Sequence, residues 1–226
     1  MIPKRPGLKA FIGRNFLRYH GWDVQGGPPG VKKAVVVAAP HTSNWDWPFT
    51  IAVAWALGVE MRWVGKHTLF KRPWGTFMRF CGGISVDRKN SKNFVQSVVS
   101  VLDAHDELFL VIAPEGTRSK TSRWKTGFYH MARGANVPVV LGFLDYQRKV
   151  GGMGELFYPS GDLEKDAEHL RAFYKDIVGK CPGNTAEISF TGEGQPMETT
   201  PPPAAIDEAL ARATTIATET VATAKG

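Results

Sequence analysis

The chain has 226 residues, of which 43% are hydrophobic, and it carries a formal net charge of +7. This length suits one ordinary domain with a sizeable core, and the apolar fraction excludes an intrinsically disordered chain. The positive charge indicates an anionic partner, which leaves a phosphate-bearing substrate, an acidic carrier, an anionic membrane and nucleic acid open.

Cysteine usage and the lengths of the apolar runs narrow the class of protein. Cys81 and Cys181 are far apart and in no metal-ligand spacing, which is typical of reduced thiols in an intracellular protein. The N-terminus has no continuous apolar segment of the kind found in signal peptides. The longest apolar stretch, residues 49–59, is shorter than the roughly 20 residues that span a bilayer, so any membrane contact is expected to be peripheral.

Residues 1–30 form an N-terminal segment in which residues 7–20 are predicted to be an amphipathic helix. An apolar face beside basic side chains suits an interfacial anchor, and the same pattern equally suits a helix packed on the core of its own domain. The apolar positions at helical spacing are Leu8, Phe11, Ile12, Phe16 and Tyr19, and the basic ones are Lys9, Arg14 and Arg18.

The first strand of the main domain is predicted at the apolar run 34–39, and a polar turn follows it. Pro40 cannot continue a central strand, so His41 lies at the strand end, where α/β sheets place their ligands. Ser43 or Asn44 is expected to cap the helix that follows.

His41 and Asp46 are candidates for a base and its orienting partner. A carboxylate that hydrogen-bonds one ring nitrogen of a histidine fixes the tautomer and leaves the other nitrogen free to take a proton. Residues five apart lie on different faces of a continuous helix, so the pair meets only if His41 folds back over the first helical turn. The alternative is a surface or capping histidine.

Two further strand ends carry polar side chains. Arg88 follows a predicted strand and either holds a phosphate by a two-pronged contact or pairs with neighbours such as Asp87. The strand 108–112 leads into a loop in which Gly116 allows a ligand to approach the backbone closely. In the same loop Glu115 either orients a hydroxyl or pairs with an arginine.

The whole pattern predicts a single α/β domain, residues 31–192, with a mixed central sheet flanked by helices. Further strands are predicted at 61–64, 84–88, 137–143 and 156–158, with an edge strand at 187–190. Further helices are predicted after residue 91, after Gly127 and after the capping residue Asp162. Residues 193–226 form a tail rich in Pro, Thr and Ala.

Four ordered blocks resemble those of the glycerolipid acyltransferase superfamily, and most closely the 1-acylglycerol-3-phosphate (lysophosphatidate) acyltransferase family. The blocks are His41-x-x-x-x-Asp46, Gly83-x-x-x-Asp87-Arg88, Pro114-Glu115-Gly116-Thr117-Arg118-Ser119 and Val137-Pro138-Val139. The linker between the first two blocks is also similar and reads Gly65-Lys66-x-x-Leu69-Phe70-x-x-Pro73-x-Gly75. Roughly residues 33–145 are covered by the resemblance.

The resemblance implies transfer of an acyl group from a thioester, either acyl-coenzyme A or acyl carrier protein, to a hydroxyl of a lysophospholipid or glycerophosphate-type acceptor. It makes His41 the general base and Asp46 its orienting partner, with no metal and no cofactor besides the acyl donor. Backbone amides near 43–46 are candidates to stabilise the oxyanion. The implied acceptor and phosphate site consists of Arg88, Glu115, Gly116, Thr117, Arg118 and Lys66.

Membrane association is expected to differ from that of many family members, whose membrane-embedded N-terminal helices have no counterpart in this sequence. The helix at 7–20 and the aromatic and basic run at 70–80 are expected to hold the protein at a membrane. We therefore expect a cytoplasmic protein, peripheral on the inner face of the cell membrane. The acyl chain is expected to lie in a groove formed by Trp47, Trp63, Phe70, Trp74 and Phe77.

Other function classes fit the same residues. If His41 activates water, the protein is an acyl-thioester hydrolase, and if the acceptor pocket differs, the acceptor is not a glycerol derivative. The net charge of +7 also fits a non-catalytic nucleic-acid or lipid-binding protein, in which His41 and Asp46 are dispensable. We favour the acyltransferase and expect no nucleic-acid partner.

Overall fold

A seven-stranded β-sheet forms the centre of the protein, whose computed structural model describes residues 7–86 and 94–190. The strands in chain order are β1 (Asp23–Gln25), β2 (Lys33–Ala39), β3 (Met61–Lys66), β4 (Gly83–Val86), β5 (Leu108–Ile112), β6 (Val139–Asp145) and β7 (Val150–Phe157). Across the sheet their order is β1-β7-β6-β2-β5-β3-β4. Strands β2 to β6 are parallel to one another, whereas β7 is antiparallel to β6. The sheet is therefore mixed, as predicted.

Helices cover both faces of this sheet. They are α1 (Leu8–Tyr19), α2 (Asp46–Leu57), α3 (Gly75–Phe80), α4 (Phe94–Ala104), α5 (Gly127–Gly134) and α6 (Leu163–Tyr174). Val35 and Val37 of β2 pack in the cluster formed with α4, α5 and α6, and Ala34 and Val36 pack with α2 on the opposite face. A strand that is buried on both faces reads as a continuous apolar run, which explains why β2 was predicted correctly.

The central position of β2 decides where the polar loops meet. β2 lies between β5 and β6, and all three strands are parallel. Their carboxyl ends are Ala39, Ile112 and Asp145, so the loops that follow them emerge at one edge of the sheet. This edge is where ligands bind in parallel α/β sheets.

The antiparallel edge of the sheet differs from the prediction. Strand β7 covers Val150–Phe157 and not only 156–158, and the short strand β1 beside it was not predicted. Glycines obscured the first half of β7, and at Gly152 a Cβ atom would lie 2.3 Å from the Gln25 carbonyl oxygen. Glycine is therefore required at this position, because β1 approaches so closely, and the same glycine weakens the strand pattern in the sequence.

Residues 187–190 were predicted as an edge strand, and this prediction is wrong, because they have no strand hydrogen bonding. Instead Ile188 and Phe190 are buried against the helical face of the domain, and Arg171 donates a hydrogen bond of 2.9 Å to the Ile188 carbonyl oxygen. The alternating apolar pattern here reflects an extended segment packed on helices. Asp162 is confirmed as the N-cap of α6, since its side chain accepts the Glu164 and Lys165 amides.

Helix α1 packs on α2 through a face of small residues. At Gly13 a Cβ atom would lie 2.5 Å from the Ala52 carbonyl oxygen, so the two backbones are in direct contact there. Ala10, Gly13 and Leu17 are buried. Of the apolar stripe that the sequence singled out, Phe16 packs with its ring 5.3 Å from that of Phe49, whereas Phe11 remains 61% exposed, and Leu8, Ile12 and Tyr19 are exposed as well. The helix is thus packed on its own domain and still presents an apolar face outward.

In the part of the chain that the structure describes, no helix combines the length and the apolar character needed to cross a membrane. Both cysteines are free, Cys81 buried and Cys181 exposed. The tail 193–226 lies outside the described residues, so the domain boundaries proposed from the sequence stay predictions.

Candidate active site

The turn between β2 and α2 is organised by Asp46. Helix α2 begins at Asp46, and its N-cap residue Trp45 makes no side-chain cap hydrogen bond. Asp46 Oδ2 instead accepts the amides of Thr42 at 2.7 Å and Ser43 at 2.8 Å. The expectation that Ser43 or Asn44 caps this helix is confirmed only in part. Ser43 Oγ accepts the Trp45 amide at 3.2 Å, and the carboxylate of the first helical residue closes the turn.

The structure brings His41 and Asp46 together. His41 Nδ1 lies 3.2 Å from Asp46 Oδ2, and the Asp46 residue is only 3% exposed. The His41 side chain is 25% exposed, and its Nε2 atom has no hydrogen-bond partner among the described residues. A neutral imidazole with its proton on Nδ1 would donate to Asp46 and present the lone pair of Nε2 outward. This arrangement can remove a proton from a bound hydroxyl or water.

Tyr146 also contacts the carboxylate, and the sequence did not indicate it. Its hydroxyl donates to Asp46 Oδ1 at 2.8 Å from the turn between β6 and β7. No local pattern links residues 46 and 146. The contact exists because β6 lies next to β2, so that Tyr146 emerges at the same edge of the sheet.

Glu115 lies directly behind the turn between β2 and α2. It follows β5, it is 2% exposed, and its Oε1 atom accepts the His41 amide at 2.9 Å. The second oxygen, Oε2, is buried and has no hydrogen-bond partner in the described part of the chain. Burial raises the pKa of Glu115, and the hydrogen bond from the His41 amide opposes this effect only in part.

The rest of the loop after β5 takes two directions. Arg118 reaches the turn between β2 and α2, where its Nη1 atom donates to Asn44 Oδ1. Thr117 Oγ1 accepts the Ser119 amide at 3.2 Å within the loop itself. Gly116 has a φ of +66°, and a Cβ atom there would lie 3.1 Å from the Lys125 side chain. The loop therefore brings one guanidinium to the site and places a lysine over its glycine.

Two other residues of the predicted acceptor site come from β3 and from the segment after β4. Lys66 is the last residue of β3, whose carboxyl end points to the same edge of the sheet as that of β2. Arg88 lies outside the described residues, so its predicted phosphate contact stays a prediction.

A small cavity of about 30 Å³ opens at His41 and lies between α2 and the sheet. From His41 and Asp46 it follows the inner face of α2 past Thr50 to Val53. Its lining also includes Ala38, Ala39, Leu144, Met61 and Met153. The wall is therefore almost entirely apolar away from its mouth.

The five aromatic residues predicted to form the acyl groove contribute nothing to the lining of this cavity. The Trp47 ring instead lies 5.5 Å from that of Trp63 and 6.2 Å from that of Phe77, and Trp74 is 65% exposed. The strand residues that do line the cavity have no distinguishing sequence signal, because inward-facing apolar residues of a core strand all look alike.

A segment after α6 supports the turn between β2 and α2 from outside the four sequence blocks. The Cys181 amide donates to Thr42 Oγ1 at 3.1 Å, and at Gly179 a Cβ atom would lie 2.9 Å from the same oxygen. Lys180 lies between these contacts, with Nζ 5.3 Å from the centroid of the Tyr146 ring. The turn is thus fixed on one side by β5 and on the other by this segment.

Solved structures include one with the same fold. The crystal structure of the 1-acyl-sn-glycerophosphate (LPA) acyltransferase PlsC from Thermotoga maritima matches with a TM-score of 0.53 and 19% sequence identity. The match covers 74% of this chain and 73% of that protein. At this identity the likeness establishes the fold.

Sequence comparison establishes the family. No curated protein matches the chain. The family model described as Acyltransferase matches residues 17–140, which is more than half of the chain and contains the turn between β2 and α2, strand β5 and the loop that follows it. On this evidence the chain belongs to the Acyltransferase family.

Proposed function

We propose that this protein is an O-acyltransferase that moves a fatty acyl group from a thioester to a hydroxyl of a lysophospholipid or glycerophosphate-type acceptor. The observation that carries the proposal is the His41–Asp46 contact of 3.2 Å at the mouth of an apolar cavity. Family membership supports acyl transfer, and the name of the Thermotoga maritima protein suggests the class of acceptor.

His41 acts as the general base. Its Nε2 atom takes the proton of the acceptor hydroxyl while the hydroxyl oxygen attacks the thioester carbonyl carbon. Asp46 stabilises the imidazolium that forms. The tetrahedral intermediate then collapses, the carbon–sulfur bond breaks, and the leaving thiolate takes the proton from His41 to become a free thiol.

The oxyanion of that intermediate needs a hydrogen-bond donor. Among the amides of residues 43–46, three already have acceptors: Ser43 donates to Asp46, Trp45 to the Ser43 hydroxyl and Asp46 to the Ser43 carbonyl oxygen. The Asn44 amide is therefore the candidate donor from this turn.

The acceptor binds on the side of His41 where Glu115 and Arg118 lie. Glu115 Oε2 is a buried oxygen without a partner among the described residues, which suits a hydrogen bond from a second acceptor hydroxyl. The Arg118 guanidinium suits the acceptor phosphate. Lys66, Arg88, Gly116 and Thr117 complete this proposed site.

The acyl chain enters the cavity between α2 and the sheet. The resting cavity of about 30 Å³ is far smaller than a fatty acyl chain, so we propose that α2 moves away from the sheet as the chain passes Thr50 toward Val53. The donor is acyl-coenzyme A or acyl carrier protein, both of which are anionic and complement a chain with a net charge of +7.

A peripheral membrane contact on the inner face of the cell membrane delivers the acceptor. The support is a set of large apolar side chains that remain exposed on α1, in the turn between β2 and α2, and around α3. The set is Leu8, Phe11, Ile12, Tyr19, Trp45, Leu69, Trp74 and Phe77. Helices α1 and α3 are neighbours, because Lys9 Nζ lies 5.4 Å from the centroid of the Phe80 ring.

Release of free thiol from palmitoyl-coenzyme A, with and without lysophosphatidate, tests the proposal. We expect release only with the acceptor, and a loss of at least about a thousandfold in His41→Ala. The control His169→Ala removes an exposed histidine of α6 and should keep full activity. Release without acceptor would identify a hydrolase instead, because the exposed His41 ring is open to water. Full activity of His41→Ala would contradict the mechanism.

A further inference from the structure

We propose that Tyr146 is a positioning residue of this reaction, whose hydroxyl holds the Asp46 carboxylate in the orientation that accepts the His41 ring. The inference rests on the acyl transfer proposed above. Tyr146 lies beyond the four sequence blocks and outside the part of the chain that the family model matches.

The two oxygens of Asp46 are held differently. Oδ2 lies within 2.7 to 3.2 Å of the Thr42 amide, the Ser43 amide and His41 Nδ1. Oδ1 accepts the Tyr146 hydroxyl at 2.8 Å. With both oxygens bonded, the carboxylate cannot rotate about its Cβ–Cγ bond without breaking a hydrogen bond to a charged group. Removing the hydroxyl would leave a buried carboxylate oxygen short of a donor.

Tyr146 is itself fixed from several sides. Its amide donates to the Val178 carbonyl oxygen at 2.9 Å, and its ring centroid lies 4.8 Å from that of Trp22 and 5.8 Å from that of Phe49. The ring can therefore keep its place when only the hydroxyl is removed. The contact ties the first turn of α2 to the turn between β6 and β7.

The hydroxyl is the donor in its contact with Asp46, because an ionised carboxylate can only accept. Burial, together with the nearby charge of Asp46, raises the pKa of Tyr146 far above its ordinary value, so the group keeps its proton at every physiological pH. Tyr146 is therefore not a base. Its effect passes through Asp46, which must face the imidazole at the moment when His41 becomes positively charged.

The variant Tyr146→Phe removes the hydroxyl and keeps the ring. We expect kcat for palmitoyl transfer to fall about tenfold, which corresponds to about 1.4 kcal/mol. The KM values for palmitoyl-coenzyme A and lysophosphatidate should stay at wild-type values, because the hydroxyl contacts neither substrate pocket. The melting temperature should fall by a few degrees, because the buried Asp46 carboxylate loses one donor. The control Tyr158→Phe changes an exposed tyrosine just after β7 and should leave kcat unchanged.

An unchanged kcat in Tyr146→Phe would overturn the inference. So would failure of the variant to fold, or a fall in kcat that comes with higher KM values for both substrates, since the hydroxyl would then maintain the structure of the whole site.

A readout independent of activity separates this inference from the proposed function. The nitrogen-15 chemical shifts of His41 report which ring nitrogen carries the proton. We expect the Nδ1–H tautomer to dominate in the wild type and to lose that preference in Tyr146→Phe, even if the wild type transfers no acyl group to the acceptors tried. Equal tautomer populations in the two proteins would overturn the role of Tyr146, whatever the enzyme's activity.

Discussion

His41 Nδ1 lies 3.2 Å from Asp46 Oδ2, although five positions along the chain would place the two side chains on different faces of a continuous helix. They meet because the chain between them is a turn, and because the same carboxylate oxygen accepts the Thr42 and Ser43 amides of that turn. The bonds that shape the turn therefore also orient the histidine. A carboxylate in the first turn of α2 is in addition favoured by the helix dipole.

Arg118 is expected to determine affinity for the acceptor phosphate. In Arg118→Ala we predict that KM for lysophosphatidate rises about tenfold or more, because a hydrogen bond to a charged group contributes about 1.5–3 kcal/mol. The kcat value and the KM for palmitoyl-coenzyme A should stay unchanged, since the phosphate is bound equally in the ground state and the transition state.

Initial rates over a range of acceptor concentrations measure this effect. Lys120→Ala, which removes an exposed cation from the same loop, is the matched control. An equal rise in KM for monoacylglycerol, an acceptor without phosphate, would show that Arg118 shapes the turn through Asn44 and does not bind the phosphate.

Glu115 is expected to lower the stability of the protein at neutral pH. Its pKa is raised by burial above the ordinary value of 4.5, so the folded protein binds a proton that the unfolded chain releases. Stability from this group is complete below about pH 4.5 and decreases as the pH rises toward the folded-state pKa. We therefore predict that Glu115→Gln unfolds at a higher temperature than the wild type at pH 7, and that the difference vanishes near pH 4.

Thermal unfolding at several pH values checks this prediction. Glu168→Gln changes an exposed glutamate of α6 and should show no such pH dependence. A wild type more stable than Glu115→Gln at pH 7 would contradict the assignment. Because the second oxygen of Glu115 is proposed to bind the acceptor, the stabilised variant should also have a higher KM for lysophosphatidate.

The sequence indicates the residues of the candidate site better than it indicates the residues that hold them in place. His41, Asp46 and Glu115 each follow an apolar run that marks a central strand, so their common edge was predictable from the topology of parallel sheets. Tyr146 and the segment at 178–181 reach the same edge through the β6–β7 pairing and the end of α6, and no local pattern in the sequence records such contacts.

Helix α1 shows a second limit of pattern reasoning. Its large apolar residues predicted a face that either packs or anchors. Phe16 of that face packs on the domain, but the closest contact with α2 is at Gly13, against the backbone of Ala52. Direct contact between two backbones requires a glycine, which has no side chain. A hydrophobic pattern therefore does not detect it.

Val53 is expected to limit the length of the acyl chain. It lines the far part of the cavity that starts at His41, and a larger side chain there would shorten the space available to the chain. In Val53→Phe we predict that kcat/KM for palmitoyl-coenzyme A falls about tenfold or more relative to hexanoyl-coenzyme A. A single methylene group bound in an apolar pocket is worth about 1–3 kcal/mol.

The matched control for chain length is Val95→Phe, which adds the same ring next to the core on the opposite face of the sheet. Overpacking also costs about 1–3 kcal/mol of stability in a well-packed core, so both variants should lose melting temperature while only Val53→Phe changes chain-length preference. Equal losses with both donors would place the acyl chain elsewhere.

The apolar stripe of α1 is expected to bind the membrane surface. Phe11 is 61% exposed, and burying such a side chain is worth about 1.5–3 kcal/mol, so Phe11→Asp should weaken binding to vesicles that contain phosphatidylglycerol about tenfold or more. Co-sedimentation with vesicles measures this binding. Tyr158→Asp places the same charge at an exposed aromatic just after β7, and this control should bind like the wild type.

Activity separates membrane binding from catalysis in the same variant. With lysophosphatidate embedded in vesicles, Phe11→Asp should transfer acyl groups more slowly, because fewer enzyme molecules are at the surface. With a short-chain acceptor dissolved in water, the rate of acyl transfer by Phe11→Asp should equal that of the wild type. The exposed Phe11 side chain is absent from the cavity lining, and the His41–Asp46 contact is unchanged. Equal vesicle binding by Phe11→Asp and the wild type would show that α1 does not form the membrane contact.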